Sequence, residues 1–287
     1  MKLSFSKYQG TGNDFILVDN RSGFCDSLTR AQIARICDRR FGVGGDGFIL
    51  LNRAPGSNDG SAWLDFTMKN YNSDGGECSM CGNGGRALVQ FAHDLGIGKE
   101  LYRFSASDGE HEAELRDGLV HLKMQDVGAI HETPVGFVLD TGSPHLVRST
   151  SGLMTHDVVT EGRTLRHSAM FMPGGINVNF VEPIGGSDRS GSKIFVRTYE
   201  RGVEDETFSC GTGVIAAAIA LTESQSPTNG AQSCADGEHR VAVETRGGSL
   251  QVRFEKTANA YHGIWLIGPA RLTFRGEIEI ERPDPIR

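Results

Sequence analysis

The feature that most constrains this chain is a match to itself. Cys81-Gly-Asn-Gly-Gly-Arg-Ala-Leu-Val-Gln-Phe-Ala-His returns as Cys210-Gly-Thr-Gly-Val-Ile-Ala-Ala-Ala-Ile-Ala-Leu-Thr, at an offset of 129 residues. Each copy leads a Cys-Gly-[Asn/Thr]-Gly loop into an apolar helix. Each follows a similar strand, Phe66 to Tyr71 in one and Ile194 to Tyr199 in the other. Gly175-Ile-Asn177 reads as an echo of Gly12-Asn13. A duplicated fold with pseudo-twofold symmetry accounts for all of these at once. The length of 287 residues agrees, because roughly 150 residues per domain makes two domains the expectation.

Charge and composition then exclude several classes. The net charge is −7 and neither sign is gathered into a run, which argues against the basic stripe that a nucleic-acid groove needs. No apolar run approaches about 18 residues, so no transmembrane helix is expected. The N-terminal MKLSFSKYQGTGNDF is too polar for a secretory signal, which makes the expected location cytoplasmic. Six cysteines, Cys25, Cys37, Cys78, Cys81, Cys210 and Cys234, are then expected as thiols rather than a disulfide framework.

Along the chain, Phe15 to Val18 forms a short buried-strand run and Ser27 to Arg40 reads as a helix that Phe41-Gly42 stops. A glycine loop leads to a strand at 48–51, residues 52–61 form a surface turn, and 62–68 alternates as a strand. A helix runs from Gly82 to Leu95. Residues 101–127 read as short strands turning at Asp108-Gly109 and Asp117-Gly118. Strands follow at 135–140, 145–148, 176–181 and 193–199, then a helix from Gly211 to Leu221. Residues 222–240 read as a mobile hairpin loop. Strands at 241–245, 249–255 and 262–274 precede a tail at 282–287.

The repeated cysteines carry chemistry. A thiol at a helix start sits among unpaired N–H groups at the positive end of the dipole, which favours the thiolate as base or nucleophile. The glycines admit a ligand close to the backbone, whose N–H groups suit a carboxylate. Two such thiols facing a small acid would remove a proton on one side and deliver one on the other. A single Cys-Gly at a helix start is ordinarily structural, but packing does not demand cysteine twice in the same surroundings. Cys78-x-x-Cys81 invites a metal or dithiol reading, yet no second Cys-x-x-Cys or Cys-x-x-His pair completes a zinc site, and only Cys81 has a counterpart. No metal is expected. None of the seven lysines sits in a recognisable pyridoxal-phosphate context, so no cofactor is expected either.

Taken together, GTGNDF, NYNSDGGECSMCGNGGR, TYERG and SCGTG resemble the diaminopimelate epimerase family, from Lys7 to about Glu279 and in the family's order. The resemblance implies a pyridoxal-independent epimerase interconverting LL- and meso-diaminopimelate, on the route to lysine and peptidoglycan precursors. It implies an α/β (α+β) fold of two similar halves, each a barrel-like, mostly antiparallel sheet around a central helix. The halves are then residues 1–127, joined by a C-terminal strand at 275–287, and residues 128–274. Cys81 and Cys210 match the acid/base pair, and His145 and Glu200 match residues that support the thiols and the substrate ammonium. Gly82, Asn83, Gly211 and Thr212 match carboxylate-binding helix starts, while Asn13, Asn72, Asn177 and Arg201 match the polar shell. Arg201 suits a distal carboxylate through its planar fork.

Two positions depart from the family. Ser143 stands in Gly142-Ser143-Pro144-His145 where an asparagine is usual, and Gly47 stands where some relatives carry glutamine. The resemblance also implies a homodimer. Without a cofactor to spread the carbanion's charge the reaction needs water excluded, so the halves are expected to close on glycine hinges, and two thiols flanking one small substrate are expected to be inactivated by oxidation to a disulfide. Two other readings compete. One is another racemase or isomerase of the same duplicated fold, of the proline or hydroxyproline epimerase type or the phenazine-biosynthesis type. The other is a zinc or thiol-redox protein built on Cys78 and Cys81.

Overall fold

A computed structural model describes residues 2–56, 63–184, 192–224, 236–258 and 260–280. The chain divides into two compact units, residues 1–122 with 269–287, and residues 123–268. In the first, β1 (Lys2–Gly10), β2 (Asn13–Asp19), α1 (Arg30–Cys37), β3 (Gly47–Asn52), β4 (Phe66–Asn72) and β5 (Glu77–Cys78) lead to α2 (Gly82–Asp94). Then come β6 (Leu101–Ala106), β7 (Gly109–Arg116) and β8 (Leu119–Lys123). β2 lies parallel to β3, and β4 to β6; β1–β2, β3–β4, β4–β5, β6–β7 and β7–β8 are antiparallel.

The second unit repeats this connectivity. β9 (His131–Thr133), β10 (Gly136–Asp140), β11 (Pro144–Ser149), α3 (Val158–Arg166), β12 (Asn177–Pro183), β13 (Ser192–Glu200) and β14 (Asp205–Thr207) lead to α4 (Gly211–Ser224). Then come β15 (Gly237–Thr245), β16 (Gly248–Thr257) and β17 (Ala260–Gly268). Here β11–β12 and β13–β15 are parallel and the other pairings antiparallel. The last described strand, β18 (Arg271–Glu279), belongs to the first unit and pairs antiparallel with β1 from Lys2↔Glu279 to Gln9↔Arg271. Its place beside β1 is that of β9 beside β10.

Each sheet has helices on both faces because its strands alternate. In the second unit Val147, Val181, Ile194 and Val196 pack with α4, while Leu146, Val178, Phe180, Phe195 and Tyr199 form a cluster with Val158 of α3. α4 is buried continuously from Gly213 through Thr222, as expected of a helix apolar all round. Its alanines allow strands to approach on several sides. In the first unit Ile16, Val18, Phe48 and Leu50 pack with Ile33, Ile36 and Cys37 of α1. Phe15 and Ile49, of opposite parity, approach Gly84 of α2.

Several boundaries differ from the sequence expectation, each for a local reason. The first helix begins at Arg30 rather than Ser27, because Thr29 caps it in a reciprocal capping box with Gln32. The strand expected at 62–68 is Phe66–Asn72. The run at 262–274 is two strands, parted at Pro269-Ala270, and the second belongs to the first unit. The units therefore divide after 122 and after 268, rather than after 127 and after 274. α3 was not expected at all: it is short and carries Gly162, a poor helix former. That glycine is required by packing, since a Cβ there would lie 2.4 Å from the Tyr199 Cβ. α4 extends to Ser224 and β15 begins at Gly237; the loop expected between them falls largely on 225–235, outside the described residues, as do Cys234 and the tail. Among the described residues, no helix is long and apolar enough to cross a membrane.

Candidate active site

In the first unit, Cys81 is the N-cap of α2, with extended backbone (φ −106°, ψ 150°) and its Sγ accepting the Gly84 N–H at 3.2 Å. The thiol thus takes the place that a serine or aspartate oxygen usually fills. A Cβ on residue 84 would lie 3.1 Å from that sulfur and 3.3 Å from Ile49, so glycine keeps the N–H open to it. Thr11-Gly12 closes the β1–β2 hairpin with both residues at positive φ (51° and 84°), the backbone of a two-residue turn that follows strand twist. A β-branched residue in that region is strained. Thr11 is fixed there by its hydroxyl, which accepts from Arg86 Nη2 at 3.2 Å and donates to Asn83 Oδ1 at 3.5 Å.

From this turn a chain of amides extends. Arg86 Nη2 donates to Asn83 Oδ1 at 2.9 Å, Asn83 Nδ2 to Asn13 Oδ1 at 3.2 Å, and Asn13 Nδ2 to Asp46 Oδ2 at 2.7 Å. Arg39 bridges Asp46 and Asp14, and Asp14 in turn pairs with the buried Lys7. Burial works against the Asp14 carboxylate, but hydrogen bonds from Arg39 and Lys7 prevail and hold it down to about 2.

In the second unit, Cys210 precedes α4, and its carbonyl accepts the Val214 N–H at 2.9 Å as the first turn begins. Its Sγ lies 3.5 Å from Thr212 Oγ1. β11 and β12 run parallel with His145 opposite Asn177, and the polar members of the α4-facing rows collect at one end: His145, Asn177, Asn179 and, on antiparallel β13, Thr198. Asn179 is fully buried and its amide orientation is determined. Thr198 Oγ1 donates to its Oδ1 at 3.0 Å, and its Nδ2 donates to the Leu146 carbonyl at 3.1 Å. The same Nδ2 meets His145 Nδ1 at 3.0 Å, so Nδ1 accepts and the ring proton resides on Nε2. Nε2 lies 2.9 Å from both Ser143 Oγ and Thr212 Oγ1. Burial, aided by the Arg201 charge, pushes His145 down to about 3 against the opposing Asn179 bond. The imidazole is therefore neutral at neutral pH and orients the Thr212 hydroxyl beside the Cys210 sulfur.

Asn177 is also fully engaged, its Nδ2 donating to Ser143 Oγ (3.3 Å) and the Pro144 carbonyl (3.1 Å), and its Oδ1 accepting the Arg201 N–H (2.8 Å). Arg201 sits on a turn organised by Glu204, at φ 60°, which accepts from the Gly202 N–H and from Arg166. The backbone bond from Gly202 and the Arg166 charge together hold the Glu204 carboxyl down to about 2, against its partial desolvation.

Of the residues singled out in the sequence, Cys81, Gly82, Asn83 and Asn13 lie together in the first unit. Cys210, Gly211, Thr212, His145, Asn177 and Arg201 lie together in the second. Glu200 is half-buried at the end of β13, its carbonyl accepting the Glu204 N–H. Asn72 is exposed at the end of β4, and among the described residues no hydrogen bond joins it to the amide chain. Ser143, the departure from the family's usual asparagine, spends its hydroxyl on His145 and Asn177. Cys78 is pushed up to about 11, first by burial and then by its neighbours Cys81 and Glu77.

One alignment within the repeat requires correction. By strand order, Thr11-Gly12-Asn13 at the β1–β2 turn corresponds to Thr141-Gly142-Ser143 at the β10–β11 turn, and Asn177 at the start of β12 corresponds to Gly47 at the start of β3. The proposed echo of Gly12-Asn13 in Gly175-Ile-Asn177 is therefore displaced by one strand. Arg86, Thr11 and Asp46 were missed in the first unit, and Asn179 and Thr198 in the second. Their signal was present only in the first case: Arg86 interrupts an apolar helix at the position where the second copy has Ile215.

The family whose sequence profile the chain matches is Diaminopimelate epimerase, over residues 5–129 and 137–273. A diaminopimelate epimerase of Flavobacterium psychrophilum is 42% identical over 277 residues, covering 96% of this chain and 100% of that protein. One of Chlorobaculum tepidum is 40% identical, covering 94% and 99%. Among solved structures, a phenazine biosynthesis protein of the PhzF family from Bacillus anthracis superposes with a TM-score of 0.69 at 14% identity, over 98% of this chain and 100% of that one. A hydroxyproline epimerase from Agrobacterium vitis gives 0.64 at 12% identity, over 98% and 94%. The last two establish a shared fold.

Proposed function

The chain belongs to the diaminopimelate epimerase family, and from that premise we propose that it interconverts LL- and meso-diaminopimelate with Cys81 and Cys210 as its acid/base pair. The observation that carries this reading is that each unit opens one helix with a cysteine whose sulfur meets a donor of its own first turn, the Gly84 N–H in one and the Thr212 hydroxyl in the other. Packing gives no reason for that arrangement to occur twice.

Inversion at an α-carbon needs a base on one face and an acid on the other. One cysteine thiolate takes the α-proton, an S–H bond forms, and the C–H electron pair passes into the substrate carboxylate as an enolate-like carbanion. The second thiol then delivers its proton to the opposite face and becomes the thiolate. Reversal exchanges the two roles. The α-hydrogen is a very weak acid, so the developing charge must meet preorganised dipoles, here assigned to the N–H groups of Gly82 and Asn83 and of Gly211 and Thr212. Asn13, Asn72, Asn177, Glu200 and Arg201 are assigned to the polar shell. Neutral His145 contributes by orienting Thr212 and not as a cation. The same reading has the enzyme acting in the cytoplasm as a homodimer.

The test is incubation of the reduced protein with LL-diaminopimelate in deuterated water, following deuterium at the α-carbon and the appearance of the meso form. Folded, reduced protein that yields neither would overturn the proposal.

A further inference from the structure

Arg86 is a buried cation at a place that disfavours positive charge. It lies in the second turn of α2 and is fully buried, with its side chain folded back toward the helix start, so that Nη1 donates to the Gly82 carbonyl at 3.1 Å. Helix N-termini are the positive end of the dipole and favour anions. A buried guanidinium ordinarily also has a carboxylate, and among the described residues none lies within ion-pair distance of this one. Its Nε is buried and has no hydrogen-bond partner among the described residues. The fold itself does not require the charge, because α4 opens with the same loop and fills the equivalent position with Ile215, which is equally buried.

What the guanidinium does touch is the set of groups around Cys81. A guanidinium only donates and a carboxylate only accepts. The run Arg86→Asn83→Asn13→Asp46 is therefore closed by a donor at one end and an acceptor at the other, which permits one orientation of both amides. Burial pushes the Arg86 guanidinium down to about 10, and the nearby Cys81 as thiolate acts to raise it. Charge coupling of this kind is reciprocal.

We propose that Arg86 is a positioning residue of the first half-site, fixing the amides of Asn83 and Asn13 and holding a positive charge behind the helix start that favours the Cys81 thiolate. This rests on the assignment of Cys81 to the acid/base pair. Its consequence is an asymmetry between the two copies: the first carries a cation within its cysteine-led helix, whereas the second has Ile215 at that position and supports Thr212 beside Cys210 with a neutral imidazole, His145.

The test uses Arg86→Gln, which keeps donors toward Asn83 and Thr11 and removes the charge, and Arg86→Lys, which keeps the charge and loses the fork. Alkylation of Cys81 by iodoacetamide is followed against pH by peptide mass spectrometry. Thermal unfolding and epimerisation are measured on the same proteins. The expected result is a folded Gln variant, at least as heat-stable as the parent, whose Cys81 is alkylated about tenfold more slowly at neutral pH, with the midpoint of its pH profile moved upward. The Lys variant should keep Cys81 reactivity within about threefold of the parent and raise KM more than it lowers kcat. An unchanged Cys81 profile in the Gln variant overturns the inference. Should that variant fail to fold, the Lys variant decides: lost Cys81 reactivity, or an unchanged KM, overturns it. Failure of the parent protein to epimerise diaminopimelate would instead refute the proposed function, and the alkylation profile would still read the coupling.

Discussion

Protonation of His145 offers a test of the polar cluster beside Cys210 that does not depend on substrate. The ring titrates near 6.5 in an unfolded chain and is pushed down to about 3 in the folded protein, chiefly by burial. A lowered value means that the unfolded chain binds the proton first. The associated stability is complete above pH 6.5 and is lost progressively as pH falls from there toward 3. At about 1.4 kcal/mol per pH step, lowering the pH from 6.5 to 5.0 should remove about 2 kcal/mol from the second unit. Each unit carries one tryptophan, Trp63 in the first and Trp265 in the second. A Trp63→Phe background, changing an exposed side chain, leaves Trp265 to report on the second unit alone. Urea unfolding at pH 7.5 and 5.0 would be compared in that background with His145→Gln. Glutamine can accept from Asn179 and donate to Thr212 but cannot take a proton. The substituted protein should be less stable at pH 7.5 yet lose about 2 kcal/mol less on acidification. If both proteins lose the same stability between the two pH values, His145 is not the buried neutral imidazole described here.

Three further outcomes follow from the same geometry. Gly213→Ala would put a Cβ 2.2 Å from Asn179 Oδ1, in a fully buried amide held by three partners, and should cost about 2–4 kcal/mol in urea unfolding. Gly128→Ala, with nothing within 4 Å, should change stability by less than about 1 kcal/mol; equal effects would refute the packing argument. Cys81→Ala and Cys210→Ala should each lower epimerisation by at least about 10²-fold, whereas Cys78→Ala should retain most activity in the same deuterium assay. Full activity in either of the first two would exclude a two-thiol mechanism.

The two cysteine-led helix starts are supported by different means. In the first, charged groups at both ends polarise a run of amides, from Arg86 to Asp46. In the second, neutral groups are ordered from within by Thr198 and Asn179, and the order passes through His145 to Thr212 beside the sulfur. Duplication has kept the loop, the helix start and the cysteine, while the supporting residues have diverged.

The sequence by itself determined the duplication, the helix starts at Cys81 and Cys210, most strands and the family. These are local patterns: a glycine loop followed by apolar residues at helical spacing, or alternation along a strand, needs no distant partner to be recognised. It misplaced Asn177 within the repeat and omitted α3, although a helix between the corresponding strands of the first half pointed to one. Tertiary structure alone decided which amide faces which neighbour, that His145 is neutral, that the chain returns to the first unit after 268 rather than after 274, and that Arg86 lies buried against the turn of a distant hairpin. Each depends on strand register and on desolvation by residues far away in sequence, and neither is encoded in any short stretch of the chain.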